Sequence, residues 1–445
     1  WEPKLTLTQH ARSPEASPVL RVTLRAMAAL VIWLAAPAAG LPPLFADGAA
    51  DLDPELKLER SRRLGPFHVQ PYFRIKQAGY DDNVFLENER RQGPFTATLG
   101  PGMRAVLLAG RRAAVLVTGD LDYVYFANTS ELNHFNNALR AKLDLFLGRF
   151  LIYADSRYES SRERLNAEVD FRVRHAVVGQ AVGVKGQFGR RLNAGVQVGR
   201  QDFSFGPAAH AEELAGGGTD RQAQLEALRA LERVESEASA FVAYRVLRKT
   251  SVGIEVSEGR AEFEDPQNQS DARSRRTYFT MSFSPSAFLT GSLRLGRLRL
   301  EPEERPNAGF SGPVGDAALG CRVSSRSHAR LRYGRNVVFS VQSDNLYFIN
   351  EGWRASYANA ISDRWSVELE HGQDKVDYPT PMALPSGPGS AVRSDRITIN
   401  ALAGLLRVQP GTRVGLRLEQ WNRSSTFGPE EAQRFMLSSF VEYNY

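Results

Sequence analysis

The sequence predicts an all-β fold: a single transmembrane antiparallel up-and-down β-barrel of about 18 strands. Two observations support this prediction. Many segments alternate between apolar and polar residues with a period of two, which is typical of β-strands that have one face in an apolar environment. In residues 139–147, for example, leucine or alanine alternates with Arg140, Lys142, Asp144 and Phe146. The connections between such segments are alternately short and long, which is the asymmetry of bacterial outer-membrane barrels.

The composition excludes several other classes of protein. Hydrophobic residues make up 42% of the 445 residues, and no apolar run in the body of the chain is long enough for a transmembrane helix. The single cysteine, Cys321, excludes an intrachain disulfide framework. The 56 basic residues are nearly balanced by 50 acidic ones, without the basic stripe of a nucleic-acid-binding protein.

The N-terminal region resembles a secretory signal. Arg21 and Arg25 precede an apolar stretch at 26–36, and small residues follow at 37–40. A basic segment, a short apolar core and small residues after it are typical of signal peptides. We therefore predict a leader and signal peptide over residues 1–48, a charged periplasmic lead-in over 49–65, and the barrel over 66–445.

The spacing of turn-forming residues gives the strand count. Short turns are predicted at 110–112, 148–149, 189–191, 248–250, 284–286, 325–327, 362–364 and 410–413. Longer polar connections are predicted at 79–94, 128–136, 159–167, 206–235, 265–275, 301–310, 343–345, 378–393 and 424–433. Eight short turns and nine longer connections join about 18 strands, and an even count leaves both barrel ends on the periplasmic side. A propeller would need four short strands per repeat of about 40 residues, whereas each interval here fits two strands of about ten residues or more.

The last segment, residues 434–445, is predicted to close the barrel. It alternates with Phe435, Leu437, Val441, Tyr443 and Tyr445 on one face. A terminal strand with spaced aromatic residues resembles the assembly signal of outer-membrane barrels, in which it pairs with the first strand so that no edge remains. The expected location is the bacterial cell outer membrane. The expected partners are outer-membrane lipid and the barrel-assembly machinery, which would bind this strand.

The polar faces of the strands are the predicted functional surface, because the interior of a wide barrel is polar. One hypothesis is a water-filled conduit whose arginines bind anionic groups weakly and repeatedly. The alternative is that these charges only neutralise each other across neighbouring strands. The residues predicted to line the pore are Arg74, Arg104, Arg140, Lys142, Arg172, Arg174, Arg294, Arg354, Arg396, Arg417, Asp144, Glu368, Glu370 and Glu419.

A short motif follows the first predicted strand. It consists of Tyr80, Asp81, Asp82, Asn83, Val84 and Phe85. At this position in an exported barrel, the motif resembles the outer-membrane β-barrel porin family associated with bacterial exopolysaccharide loci. The resemblance implies a pore-like barrel and, as a partner, a polysaccharide. From the residues themselves, a turn role for Asp81 and Asp82 is favoured over a pair of catalytic acids.

These observations predict a channel for export of an anionic polysaccharide or another polar solute. The alternative is a non-conducting barrel whose extracellular loops bind a surface ligand or partner. We expect no enzymatic activity, because the seven histidines show no defensible Ser/His/Asp spacing. We also expect no cofactor, no metal site and no nucleic-acid partner. The connection at 206–235 is unusually long, and we predict that it gates the pore. Its second half, residues 220–232, is rich in helix formers, and the predicted short helix either folds into the mouth and narrows it or lies outside as a solvated surface helix.

Overall fold

The structure is a computed structural model that describes most of the predicted barrel. It covers residues 61–84, 86, 93–110, 112–127, 129–164, 168–169, 172–206, 226–265, 268–284, 288–342, 344–383, 389–427 and 431–444. The predicted leader at 1–48 and most of the predicted lead-in lie outside the described residues. The proposed boundaries of these two segments therefore stay predictions.

Eighteen long antiparallel strands form one closed sheet. Each strand pairs with its neighbours along the chain, and the first long strand pairs with the last to close the circle. The predicted fold is thereby confirmed. The strands are β2 (Phe67–Asp81), β3 (Phe95–Ala109), β4 (Ala113–Phe126), β5 (His134–Leu147), β6 (Phe150–Glu163), β7 (Val173–Phe188), β8 (Leu192–Phe205), β9 (Arg233–Leu247), β10 (Thr250–Phe263), β11 (Ala272–Phe283), β12 (Leu289–Pro302), β13 (Phe310–Arg322), β14 (Ser327–Phe339), β15 (Tyr347–Ala360), β16 (Trp365–Asp377), β19 (Ser394–Gln409), β20 (Thr412–Ser425) and β21 (Ala432–Asn444).

Three short strands lie beside the barrel strands. β1 (Arg62–Leu64) forms a hairpin with the start of β2, and β17 (Met382–Ala383) pairs with β18 (Ser390–Ala391) in the connection between β16 and β19. Residues 226–229 form one α-helical turn. Among the residues that the structure describes, no helix is both long and apolar enough to cross a membrane.

The connections follow the predicted alternation of short and long. The eight short ones join the strands at the end of the barrel where β3, β5 and β7 finish. Gly110, Gly148 and Gly189 lie in these turns with φ between 62° and 65°, a backbone conformation that other residues adopt only at a cost. The nine longer connections lie at the other end, which is therefore the extracellular end.

The two faces of the wall differ in exposure and chemistry. On the outer face, apolar side chains such as Ile254 (59% exposed) and Leu416 (61% exposed) are open to the surroundings. Exposed aliphatic side chains repeated around a closed barrel are the surface that lipid covers. Even the shortest long strand, with 12 residues, is about 40 Å long, enough to cross a bilayer when tilted. The protein is an outer-membrane β-barrel whose outer face contacts lipid.

The extracellular ends of β14 and β15 lean into the barrel. The pairing of β13 with β14 stops at Gly315 and Arg335, whereas β14 and β15 stay paired up to Phe339 and Tyr347. From Arg335 onwards, side chains of β14 and β15 therefore pack against the inner face of β11–β13. The apolar cluster contains Val337, Phe339, Tyr347 and Ile349 from the hairpin and Tyr278, Leu298, Leu300, Phe310 and Val314 from the wall. We call residues 336–350 the inner hairpin.

Candidate functional site

Most of the predicted pore-lining residues lie on the inner face of the wall. Residues that pair directly across strands share a face, so the cavity inside the barrel and the strand register together identify the inner side. Arg140 and Lys142 line that cavity. The inner-face members of the predicted set are Arg74, Arg104, Arg140, Lys142, Asp144, Arg294, Arg354, Glu368, Glu370, Arg417 and Glu419.

Arg172 reaches the inner side from just before β7. Its Nη1 donates to the carbonyl oxygen of Val84 at 3.3 Å, and its guanidinium lies 4.9 Å from the ring centroid of Phe126. This side chain therefore helps to hold the connection after β2 against the wall.

Two of the predicted residues, Arg174 and Arg396, lie on the outer face, so the prediction is wrong for both. On β7, Arg174 shares a face with Val182, which is 53% exposed towards the outside. On β19, Arg396 shares a face with Leu402, which is 43% exposed. Arginines can lie on the outer face here because the extracellular ends of β7 and β19 extend beyond the hydrocarbon layer of the bilayer. On the inner face of β19, Ile397 and Ile399 are buried inside the barrel next to the buried Asp395.

Ion pairs join the inner-face charges of β2–β6. Arg74 pairs with Asp120, and Lys76 pairs with Asp122. Arg140 donates to Asp155 through two nitrogens, with the Nη2–Oδ2 distance at 2.5 Å, and Lys142 Nζ lies 2.9 Å from Asp144 Oδ2. These strands carry the mutual neutralisation that the alternative hypothesis expects.

The same pattern continues along β12–β20. Arg417 lies 3.0 Å from Glu419 and 3.6 Å from Glu370, and Arg354 lies 3.5 Å from Asp374. On β12, Arg294 lies between two acids of the neighbouring strands, 3.6 Å from Glu255 and 3.5 Å from Asp316. The charges on this side of the interior are therefore engaged with one another.

A cavity of about 820 Å³ lies inside the barrel along β5–β12, and Val337 and Phe339 of the inner hairpin form part of its extracellular end. Eight basic and three acidic residues line it, but the side chains of Arg200 and Arg260 lie on the outer face of the wall, so six basic and three acidic side chains face the cavity. The basic ones are Arg140, Lys142, Arg157, Lys185, Arg233 and Arg276, and the acidic ones are Asp155, Glu235 and Glu237. This part of the interior has a formal excess of positive charge.

Several residues of this cavity were not predicted from the sequence. Arg157 donates to the amide oxygen of Gln201 at 2.7 Å, and the ammonium of Lys185 lies 4.9 Å from the ring centroid of Tyr153. Arg233 lies 4.2 Å from the ring centroid of Phe203, and Arg276 lies 2.6 Å from Glu237. The sequence could have predicted Arg157 as a pore-lining residue, because Tyr153, Asp155, Arg157 and Glu159 alternate with a period of two and therefore share one face.

The motif after the first strand forms a clasp at the seam where β2 meets β21. Asp81 accepts hydrogen bonds from Arg434 Nε at 2.9 Å and 3.0 Å. Asp82 accepts from the backbone N–H of Phe435 at 2.6 Å, and Asn83 Nδ2 donates to the carbonyl oxygen of Gln433 at 2.8 Å. All three side chains therefore bind the closing strand.

The same motif also forms the expected turn. The backbone N–H of Asn83 donates to Asp81 Oδ1 at 3.2 Å, which is the local turn bond that aspartate favours. Val84 is fully buried against Phe126 and Leu132, whereas Tyr80 is half exposed on the outer face. Phe85 lies outside the described residues.

The extracellular mouth is crossed by residues from the connection between β6 and β7. Glu168, which is buried, accepts a hydrogen bond from Ser340 Oγ at 2.5 Å and from the N–H of Val341 at 3.0 Å. Ser340 and Val341 are at the tip of the inner hairpin, on the far side of the ring of strands from β6 and β7. Glu168 therefore links opposite sides of the mouth, and we call these contacts the mouth latch.

Burial raises the pKa of Glu168, and this effect is partly offset by the hydrogen bonds from Ser340 and Val341 and by the positive charge of Arg393. Arg393 itself forms a buried ion pair with Asp395 at 2.7 Å and lies 5.2 Å from the ring centroid of Tyr378. Burial, followed by the charge of Glu168, raises the pKa of Tyr378. The latch therefore lies beside titratable groups of the connection between β16 and β19 and of the start of β19.

The described part of the long connection after β8 contributes to the same mouth. Leu228 and Leu231 are buried against Val169, Phe205 and Val341. Residues 207–225, which include the start of the predicted helix, lie outside the described residues. The prediction that this connection gates the pore stays a prediction; the inner hairpin and Glu168 lie at the same mouth.

No protein-family model and no curated protein matches the chain. Solved structures with a similar fold include the outer membrane protein OpdK of Pseudomonas aeruginosa, at 12% identity and a TM-score of 0.48, covering 85% of this chain and 98% of that one. OccK7 (OpdD) of the same organism is 13% identical with a TM-score of 0.44, covering 86% and 99%. The FrpB iron transporter of Neisseria meningitidis is 9% identical with a TM-score of 0.40, covering 80% and 62%.

Proposed function

We propose that this outer-membrane barrel is a passive channel for small anionic solutes, which move along the β5–β12 wall. The observation that carries this proposal is the cavity of about 820 Å³, which is lined by six basic and three acidic side chains. A water-filled path lined with fixed charges of one sign concentrates the opposite ion and lowers its barrier to entry.

The contrast between the two sides of the interior supports an anion path at this position. Along β2–β4 and β15–β20, arginines and lysines are paired with carboxylates. On β6, Arg157 donates to the neutral amide of Gln201, and this contact does not neutralise its guanidinium. A passing carboxylate or phosphate therefore gains attraction to Arg157 without displacing an acid.

The experiment is a measurement of ion selectivity in planar lipid bilayers. With a gradient of potassium chloride, the reversal potential of the refolded protein should show a preference for chloride. The double variant Arg157→Gln/Lys185→Gln should shift the reversal potential towards zero or towards cation preference. The matched control, Lys375→Gln/Arg396→Gln, removes two basic side chains from the outer face and should leave the selectivity unchanged.

A cation-selective wild-type channel, or equal shifts in both variants, would contradict this proposal. A correctly folded protein that passes no current would favour the non-conducting alternative, in which extracellular loops bind a surface ligand.

The prediction that the channel exports a polysaccharide depends on the motif resemblance, and the geometry supports it less than it supports the passage of small anions. The inner hairpin and the mouth latch occupy the end through which a polymer would leave. Addition of a polyanionic oligosaccharide during the same recordings distinguishes the two cargoes. Long, length-dependent blocks by the oligosaccharide would support a polymer path, whereas blocks by small carboxylates alone would support the proposal made here.

A further inference from the structure

A group of arginines lies on the outer face of β10–β12, just beyond the apolar band. Arg275 on β11 is directly opposite Arg299 on β12, and Arg297 lies two residues from Arg299 on the same face. One strand earlier, Arg260 is directly opposite Arg273. Like charges placed directly opposite each other on a sheet are destabilising, so this arrangement favours a bound anion.

The acidic residues around this group neutralise it incompletely. Arg260 lies 2.8 Å from Glu262, Glu303 lies 3.0 Å from Arg273 and 3.4 Å from Arg260, and Arg299 pairs with Glu301, so five arginines share four carboxylates including Glu258. The partner of Arg275 is Glu258, at 3.6 Å, and both side chains are 75% exposed. Exposed ion pairs of this kind contribute little free energy. Arg297 donates to a neutral hydroxyl, that of Ser311, at 3.1 Å.

The position of these arginines along the barrel axis indicates which layer of the membrane they contact. The row of residues immediately towards the periplasm is apolar and lipid-facing: Ile254, Phe279 and Leu295 are each about half exposed on the outer face. Arg297 is two residues further along its strand than Leu295, which is about 7 Å, and Arg299 is two residues beyond that. The guanidinium groups therefore lie where the hydrocarbon ends and the lipid headgroups begin.

The surface is also shaped to hold a ligand. A groove of about 610 Å³ runs over this part of the outer face, and Val198, Ala238, Arg275 and Arg299 are among the residues that line it. Arginine binds phosphate through two parallel hydrogen bonds. The apolar lower edge and the cationic upper edge match a lipid whose acyl chains lie below a phosphate.

We propose that Arg275, Arg297 and Arg299 form a binding site for the phosphate of a glycolipid in the outer leaflet. The acyl chains of this lipid contact Phe279 and Leu295, and its phosphate lies between the guanidinium groups of β11 and β12. The site is on the outside of the wall, so it is independent of the solute that passes through the interior.

The test measures binding of diphosphoryl lipid A to the purified, detergent-solubilised barrel by native mass spectrometry. The double variant Arg275→Gln/Arg299→Gln should weaken binding by about tenfold or more, because two charge-assisted contacts are lost. The matched control, Arg200→Gln/Arg396→Gln, removes two arginines from the outer face of β8 and β19 and should bind as the wild type does. Lipid A without phosphates should bind the wild type about as weakly as diphosphoryl lipid A binds the double variant.

Three results would overturn the proposal. The first is unchanged binding by Arg275→Gln/Arg299→Gln, and the second is equal binding of the lipid without phosphates. The third is binding of inorganic phosphate with the same affinity as the lipid, which would assign the site to a free anion. Heat-shifted gel migration checks that each variant is folded. If the glutamine variant does not fold, Arg275→Lys/Arg299→Lys keeps the charge and should bind more weakly than the wild type, because it loses the paired hydrogen bonds of the guanidinium group.

Discussion

At the scale of single residues, the seam clasp shows how a short motif supports a large ring. Asp81 is almost completely buried, and it binds a guanidinium 353 positions later in the chain. A carboxylate buried without its partner is costly, because its desolvation is no longer compensated. The motif at 80–84 therefore stabilises closure of the barrel, a role that a local turn would not require.

We predict that Arg434→Gln destabilises the barrel by about 3 kcal/mol, since it leaves Asp81 buried and unpaired. Asp81→Asn should cost less, because the neutral amide is easier to bury. The measurement is the free energy of unfolding in urea with lipid vesicles. Arg413→Gln removes a more exposed pair, with Glu442 of the same closing strand, and it should change the stability by less than about 1 kcal/mol. A similar loss in Arg413→Gln and Arg434→Gln would show that the clasp has no special role.

The mouth latch predicts a dependence on pH. When Glu168 is bound to Ser340 and Val341, its pKa is raised above the ordinary value of 4.5. Formation of the mouth latch, which we call docking, therefore takes up a proton. Docking is strongest below pH 4.5, and it loses stability as the pH rises through the raised pKa. The groups that face Glu168 are Ser340 and Val341 of the inner hairpin, together with Tyr378 and Arg393. Arg393 in turn forms an ion pair with Asp395.

We therefore expect single-channel conductance to fall as the medium is acidified, because the docked latch narrows the mouth. In Glu168→Gln, the neutral amide keeps docking favourable at all pH values, so conductance should stay low and lose its pH dependence. Glu159→Gln removes an exposed carboxylate from the inner face of β6 and should keep the wild-type pH profile. An unchanged profile in Glu168→Gln would assign the pH response to another group.

At the scale of secondary structure elements, the inner hairpin differs from every strand pair that stays in the wall. Its outward-facing side chains contact the inner face of β12 and β13 instead of lipid. This packing buries two aromatic rings against each other, with Phe310 and Tyr347 centroids 5.6 Å apart. Because apolar burial holds the hairpin inside, the hairpin is a fixed constriction to which the latch residues attach.

We predict that replacing residues 340–346 by a two-residue Asn-Gly turn raises single-channel conductance. The replacement removes Val341 and Leu346, which pack in the mouth, and it removes both donors to Glu168. The control shortens the connection at 303–309 in the same way and should leave conductance close to that of the wild type. Equal conductance in all three proteins, with folding verified by heat-shifted migration, would show that the tip does not restrict the path.

At the scale of the whole molecule, the barrel has two unlike walls around one interior. Along β2–β5 and β15–β20 the inner charges form ion pairs, which rigidify the wall and largely cancel. Along β6–β11 the basic residues exceed the acidic ones around an open cavity. The outer face divides by height into an apolar band and a charged extracellular edge. This distribution places the candidate solute path on one side and the candidate lipid site on the outside of β10–β12.

The sequence by itself determined the strand number, the alternation of turns and loops, and the closing role of the last strand. These features are local: a period of two and glycines such as Gly148 act within a few residues. Tertiary structure alone decided which face of a strand is inside. For Arg396 the sequence pattern is symmetrical between the two faces, and only closure and depth in the membrane distinguish them. Tertiary structure also decided the contact of Asp81 with Arg434 and that of Glu168 with Ser340, which is 172 positions away. Contacts at such separations depend on the curvature of the whole ring, and no local pattern of residues encodes that curvature.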